Sequence, residues 1–597
     1  MIKLFWYFIS TLKLLFIFLF KKKTGAMDVT RQNFEEVLPK VKKSIEEATF
    51  LSIDCELTGL NTIRNINAFD TIEQYYNKVR ENCREFLVIQ YGITAFKYDE
   101  EVNIFKQSSY NFYIFRRPLN RNIPDQRFLC QTSSIDFLIS QGFDFNKLFR
   151  EGISYLNLEE ETKYSENLEE KHKEKPDSSS VNYKPDKIAI PPTEQQLIDD
   201  VMKSIDGYLK GDETEPLQLP KCNPFCRKLI YQETADVFGD KICVETKQLE
   251  NKDRVLHVTR VKSADELKSI AKQKYDDDMK ILNECIGFTR VLRMIVESGK
   301  LVVGHNLLLD ILHTIDKFLT PLPDNYEEFK ECVHNLFPNI LDTKFMSSSP
   351  VFRDLVNSSA LGPLVDTVKK DPFEIPTIEI EDDCCGYSLD DKKEHEAAFD
   401  AFITGVSFLA MWNYIGKEAQ MTPKETFSSF NLVEPYFNKI FLMRLQDNPY
   451  INLSGNDPNP SRDHVFHVTF PNEWKTIDIQ QLFSPFGNVF VSWINDSSAF
   501  VGLYKRDQAT IAYKSLKQNK ICAVKLFHEY HHEGKTTNSS QSLQISQKKS
   551  SNKSPYAGVR KRKISEGSSL ESIKEKVVIK KKKSPAMSKT FTVCDEW

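Results

Sequence analysis

The sequence predicts a mixed α/β chain of several domains, and three observations carry that prediction. The first is size. A chain of 597 residues exceeds what one hydrophobic core holds, so roughly two to four domains are expected. The second is a helix-to-strand succession. Asn33 to Ala48 carries apolar residues at Phe34, Val37, Val41 and Ile45, a helical period, and Phe50-Leu51-Ser52-Ile53-Asp54 then reads as a strand. The third is punctuation. Residues 158–185 are dense in Glu and Lys and then Ser, Pro458-Asn459-Pro460 marks a boundary, and the chain turns Ser/Lys-rich after His532.

Taken in order, the chain opens with a nearly apolar run from Leu4 to Phe20, followed by Lys21-Lys22-Lys23. The run is at the short limit for a membrane span, and no small-residue cleavage site precedes the basic cluster. Met27 is read as the working start, with residues 1–26 an apolar extension. The alternative is a membrane anchor through residues 4–20, whose lysines would hold the rest in the cytosol. Residues 27–180 read as the first part of one domain, with further strands at Phe86 to Tyr91 and Asn111 to Phe115, and 158–185 as a mobile linker. Residues 193–262 form a compact insertion. It has an amphipathic helix (Leu197, Val201, Ile205, Leu209), a second helix around Lys228-Leu229-Ile230-Tyr231, and strands at Ile242 to Val244 and Val255 to Val261. Highly charged Asp265 to Lys280 leads back to α/β sequence over 281–455. Residues 462–530 form a small strand–helix–strand unit, and 533–597 a disordered basic tail.

Hydrophobic residues make up 40% of the chain, enough to bury real cores. Net charge is only -4, which neither selects nor excludes nucleic acid, because a polyanion needs a local basic surface and not a basic total. The 12 cysteines are scattered. Cys222 and Cys226, and the Cys384-Cys385 pair, lack the second ligand pair of a zinc site, so reduced thiols are expected.

Chemistry enters with acids placed among apolar residues. Asp54 and Glu56 end a strand with one residue between them, and alternate strand residues share a face. Leu301-Val302-Val303-Gly304-His305-Asn306 is a β-rich run that gives way to a helical one. Asp310 falls there among Leu308, Leu309, Ile311 and Leu312, costly for an acid unless it is paired or binds metal. His395 precedes Asp400 by five residues, which suits a loop-to-helix entry with the imidazole above the acid. Each element alone is common on a solvated surface. Together, four acids from separated segments can hold two divalent ions about 3.5–4 Å apart. Oxygen ligands suit Mg²⁺, with Mn²⁺ able to substitute. His395 would take the proton from attacking water.

These three segments resemble the motifs of the DEDD exonuclease superfamily, histidine subclass. Ser133-Ser134-Ile135-Asp136-Phe137-Leu138, Gln141 to Lys147 and Phe437 to Arg444 resemble the poly(A)-specific ribonuclease family more closely still. The resemblance runs from about Met27 to Phe527. It implies a ribonuclease-H-like mixed-sheet nuclease core split by the insertion. It also implies Mg²⁺ dependence, single-stranded RNA and poly(A) tails as substrate, release of 5′-AMP, and a homodimer. RNA contacts are implied at Leu57, Leu60, His305, Asn306 and Lys344.

The insertion is similar to a small nucleic-acid-binding domain with an Arg-x-x-x-His signature, here Arg227 to Tyr231. Residues 462–530 resemble an RNA-recognition motif with few base-stacking aromatics; Ser498 stands where Phe or Tyr is usual. The family places a cap-stacking tryptophan at Trp493, whose face suits the cationic 7-methylguanosine. Arg560 to Lys563 and Lys580 to Lys583 read as nuclear localisation signals, giving a nuclear and cytoplasmic protein. Two other functions compete. One is a membrane-tethered trimmer of small-RNA 3′ ends, supported by the apolar N-terminus. The other is a catalytically silent RNA- or cap-binding protein, opposed by retention of Asp54, Glu56, Asp310, His395 and Asp400.

Overall fold

A computed structural model describes residues 25–60, 66–117, 126–172, 187–212, 215–249 and 253–531. The apolar run 4–20 and the two basic clusters of the tail lie outside the described residues. The first strands are β1 (Met27–Val29), β2 (Phe50–Leu57), β3 (Val88–Asp99) and β4 (Ile104–Tyr113). The helix Phe34–Glu47 forms between β1 and β2 and buries Phe34, Val37, Leu38, Val41 and Ile45, the stripe its spacing predicted.

Both β3 and β4 are longer than expected. They pair antiparallel from Asp99↔Ile104 to Gln90↔Tyr113. Thr94, Gln107, Ser108, Ser109 and Asn111 are all buried in this hairpin. Such polar residues hide a strand from a hydrophobic pattern; here Thr94 and Asn111 bond to Ala398 of a helix laid over the sheet, Ser109 bonds Thr94, and Gln107 bonds the Tyr387 backbone.

The insertion contributes β5 (Leu217–Gln218), β6 (Ile242–Gln248) and β7 (Arg254–Arg260) in a separate sheet ordered β5-β7-β6. Its helices are Pro192–Lys210 and Pro224–Val237. The first buries Ile198, Val201, Ile205 and Tyr208, so its core face is turned slightly from the predicted Leu197/Leu209 stripe. Two charged stretches also differ from expectation. Leu158–His172, read as mobile linker, is a helix, and the charged Asp265 to Lys280 lies within the helix Ala264–Ile286. They pack through Tyr164, Leu168, Leu282, Cys285 and Ile286. Their partnership is also ionic, with Lys171 Nζ 2.5 Å from Asp278 Oδ2, and His172 Nε2 lies 2.7 Å from the same oxygen. The charges are solvated faces of a helix pair, and an apolar stripe of two residues one turn apart is too sparse to read alone.

The main sheet resumes with β8 (Leu301–Gly304), β9 (Ile340–Asp342) and β10 (Ile378–Ile380). Its order is β1-β4-β3-β2-β8-β9, with β10 on β4. One face carries the cluster containing Leu51, Ile53, Ile311 and Leu312. The other carries Phe50, Phe96, Phe402 and Trp412. The helix Ala397–Glu418 crosses this second face. It is long and apolar enough to span a membrane, but 89% of its most apolar stretch is buried inside the protein, which makes it a core helix.

A small ribbon, β11 (Lys439–Phe441) with β12 (Tyr450–Asn452), leads to the last unit. This has β13 (Val465–Thr469), β14 (Val489–Asn495), β15 (Ser498–Leu503) and β16 (Ala523–Leu526), ordered β14-β15-β13-β16. Its sheet is not bare. Phe69 from the nuclease side is buried against Val465 and Phe500, with Phe490, Phe527 and Tyr530 around them. A Cβ on Gly502 would lie 2.7 Å from the Phe69 ring. Arg462 clamps the same junction: it pairs with Asp447 and donates to the Phe69 and Asp70 carbonyls.

Candidate active site

Register explains how two acids reach one pocket. Phe50 and Ser52 face the Ala397–Glu418 helix, and Ser52 Oγ donates to the Ala401 carbonyl at 2.6 Å. Asp54 and Glu56 follow at the same parity, so they face the N-terminus of that helix. Asp400 sits in its first turn, and β8 pairs with β2 only through Ser52↔Val303. Beyond that point β2 runs free of its neighbour, and the chain leaving Gly304 returns as the helix Leu308–Thr314 carrying Asp310.

The helix bearing Asp400 is seated by the sheet itself. Gln90 Oε1 accepts from Ala397 N at 3.0 Å, and Asn111 Oδ1 from Ala398 N at 2.8 Å, which satisfies amides a helix start leaves open. Gly92 lies opposite Asp54, and a Cβ there would come within 2.1 Å of the Ala397 backbone. His395 takes a left-handed backbone, φ 67°, just before the helix. Its own N–H donates to Asp400 Oδ2 at 3.2 Å, its Nδ1 lies 3.8 Å from the same oxygen, and Phe137 supports its ring edge-on. The expected loop-to-helix entry is therefore what forms.

Glu56, His395 and Asp400 each bring a ligand atom within 4.8 Å of the others. Burial pushes the Asp54 carboxyl well up, and the charges of Asp400, Asp310 and Glu56 add to it. Glu56 is raised by burial and then by Asp400 and Asp310. Burial carries Asp310 up to about 7, opposed by hydrogen bonding from Cys55, and Asp400 up to about 7, opposed by the His395 N–H. Among the described residues none of the four is ion-paired to a lysine or arginine. Crowded carboxylates without a protein cation suit divalent metal, which would supply the missing positive charge. Burial also holds His395 below its ordinary range, hence neutral and able to accept a proton.

The RNA-contact residues divide. His305 Nδ1 bonds Thr343 Oγ1 at 2.9 Å, and the Ser359 backbone also interacts with the ring. Burial and the Lys344 charge push its pKa down to about 3. Asn306 adopts φ 58°, and Lys344 is buried over Phe441. Leu60 is half-buried beside Gln131. Leu57 differs from expectation: at the same strand parity as Leu51 and Ile53, its side chain is buried with them in the core cluster, on the face opposite Asp54 and Glu56. Arg227 and Tyr231 lie on the insertion, Arg227 donating to the Cys222 carbonyl and Tyr231 bonded to Thr246 at 3.0 Å. Trp493 is on β14, in the last unit.

Asp342 supports the site although no motif marks it. Fully buried, it accepts from the backbone amides of Asn306, Leu307, Lys344 and Phe441 at 2.9 to 3.1 Å. It thereby fixes the turn that carries His305 and leads to Asp310. The signal was present, an acid ending the apolar β9, of the same kind that exposed Asp54.

Comparison with known proteins agrees with this geometry. Residues 29–408 match the CAF1 family ribonuclease, and 455–533 match an RNA binding domain. The poly(A)-specific ribonuclease PARN of Bos taurus is 42% identical over 513 residues, covering 84% of this chain and 80% of the relative. That of Xenopus laevis is 42% identical over 515 residues, covering 84% and 81%. The pre-piRNA 3′-exonuclease trimmer of Bombyx mori is 26% identical over 526 residues, covering 85% and 94%. On this match and these identities the chain belongs to the CAF1 ribonuclease family, among the poly(A)-specific ribonucleases.

Proposed function

We propose that this chain is a 3′-to-5′ exoribonuclease that removes poly(A) one nucleotide at a time and releases 5′-AMP. The convergence of Asp54, Glu56, Asp310 and Asp400 beside a neutral His395 carries the reading. The four acids would hold two divalent ions, Mg²⁺ or Mn²⁺, which when bound activate water and stabilise the leaving 3′-oxygen. His395 accepts the proton of the attacking water at an unprotonated imidazole nitrogen. Asn306, whose amide Asp342 holds, and His305 beside it would contact the terminal nucleotide. Trp493, 38% exposed on β14, belongs to the same reading as a cap contact, and a homodimer as its assembly. The 42% relatives are poly(A)-specific enzymes and the trimmer is more distant, which favours the tail-shortening function.

A time course on capped and uncapped RNA, with and without a 3′ poly(A) tail and with and without Mg²⁺, tests it. Asp54→Ala, Asp310→Ala and Asp400→Ala should each abolish hydrolysis while RNA binding largely survives. Wild-type turnover by any of them at saturating Mg²⁺ would remove that acid from the metal set.

A further inference from the structure

A cavity of about 490 Å³ lies away from the catalytic acids, between Arg31, Phe34, Arg117, Ser154 and the helix Ala264–Ile286. Two buried polar atoms in its lining have no partner among the described residues: the Ser154 hydroxyl, on a residue only 4% exposed, and Arg117 Nε. Among the described residues the guanidinium of Arg117 otherwise donates to the Phe149 carbonyl, and neither Arg31 nor Arg117 is ion-paired. Of the acids in the lining, Glu35 is taken by Arg290 at 2.5 Å, and Asp276 and Glu284 lie four residues either side of Lys280 on their own helix. Two adjacent guanidiniums beside an unsatisfied hydroxyl offer donors to an anion. The two charges face each other without a counter-ion, and the Arg117 pKa is lowered by burial and by Arg31.

Topology says whose anion. Glu56 pairs with Gln90, Gln90 with Tyr113, and Phe112 with Val29, so β2, β3, β4 and β1 place these residues along one edge of the sheet. Arg31 follows β1 and Arg117 follows β4 over that same edge. Three strand spacings separate β2 from β1, about 14 Å at about 4.8 Å each. An RNA strand with its 3′ end among the acids can reach the cavity within a few nucleotides.

We propose that this cavity is an upstream substrate site, in which Arg31, Arg117 and Ser154 bind a backbone phosphate of the RNA being shortened. It rests on the exoribonuclease reading above. A free mononucleotide offers the same phosphate chemistry, and the experiment separates the two sources.

The full chain carrying Arg31→Ser with Arg117→Ser is compared with wild type on long oligo(A) and on a dinucleotide, whose single phosphodiester is the scissile one and which has no upstream phosphate. Melting curves accompany the kinetics. KM on long oligo(A) should rise about tenfold, as for a lost charged hydrogen bond. The dependence of log kcat/KM on log salt should become shallower by about 0.7 for each phosphate released. Dinucleotide kinetics should not change. If the double variant melts early, Arg31→Ser alone carries the test, since that side chain is exposed and makes no ion pair among the described residues. Unchanged KM and salt slope on long oligo(A) overturn the proposal, as does an equal loss on the dinucleotide. Weakened 5′-AMP binding in an Asp310→Ala background, with RNA kinetics intact, overturns it in favour of a free-nucleotide site. Dinucleotide hydrolysis tests the exoribonuclease reading by itself, so the two can fail separately.

Discussion

At the scale of single residues the site is a contest between burial and charge. Four carboxylates that burial drives toward neutrality are useful only when a cation restores their charge, and His395 is useful only while neutral. The same desolvation serves both, because it raises acids and lowers histidines. His395→Ala should therefore lower turnover by roughly 10²–10⁴-fold, the usual worth of a general base, with metal affinity little changed. The pH profile gives the sign. His395 has a depressed pKa, so the wild type keeps its base through neutrality and loses rate only as pH falls below that value. Asp310 and Asp400, raised to about 7, limit metal binding on the same acidic side. The variant should keep the metal-dependent fall and lose the part due to the base. The wild-type profile at the wild-type rate would show that His395 is not the base.

At the scale of elements the decisive contact is between β3 and the start of the Ala397–Glu418 helix. Gly92 lets them touch, and Gln90 and Asn111 cap the helix from the sheet. Gly92→Ala should push the helix start outward, because its Cβ would meet backbone and not a yielding side chain. Overpacking of this kind costs about 1–3 kcal/mol, so the melting temperature should drop. Turnover should fall further than stability accounts for, since Asp400 and His395 both ride on the displaced turn. A variant equal to wild type in melting and hydrolysis would show that the helix is not seated by this contact. The acids were legible in the sequence only as a set, since each alone is common on a solvated surface but the separated segments together form a motif pattern. Gly92, Gln90 and Asn111 were not, since nothing local distinguishes a glycine or amide in a strand from one that receives a helix 300 residues later.

At the scale of the whole molecule, the C-terminal unit is fastened to the nuclease by its sheet face. Phe69 fills that face, and Arg462 and Asp447 lock the edge. Asn67 Nδ2 donates to the Trp493 carbonyl at 3.2 Å. The sheet that would stack bases in an RNA-recognition motif is thus occupied by the protein itself, while the Trp493 ring stays exposed, edge-on to Phe470 and donating to Thr476. Trp493→Ala removes the ring but keeps the carbonyl that Asn67 holds, so the docking should survive. Cap-analogue affinity should fall by about tenfold or more, since stacking is worth about 1–3 kcal/mol and about 1.4 kcal/mol is tenfold. Hydrolysis of uncapped poly(A) should stay near wild type, and a melting curve shows that the unit remains folded. Unchanged cap affinity in the folded variant would leave Trp493 as a packing residue.

The sequence by itself determined the α/β class, and it picked out an insertion within the main domain and a candidate set of four acids and a histidine. Those features are local: a period, a composition change, a charge where apolar residues surround it. Only the tertiary structure decided that Leu158–His172 is a packed helix and not a linker, that Leu57 is core, and that the last sheet is closed by Phe69. It also decided that Asp342 builds the turn leading to Asp310. Each of these depends on what lies across from a residue in space. A local pattern carries the energy of burying one face, but the partner that buries it comes from a distant segment.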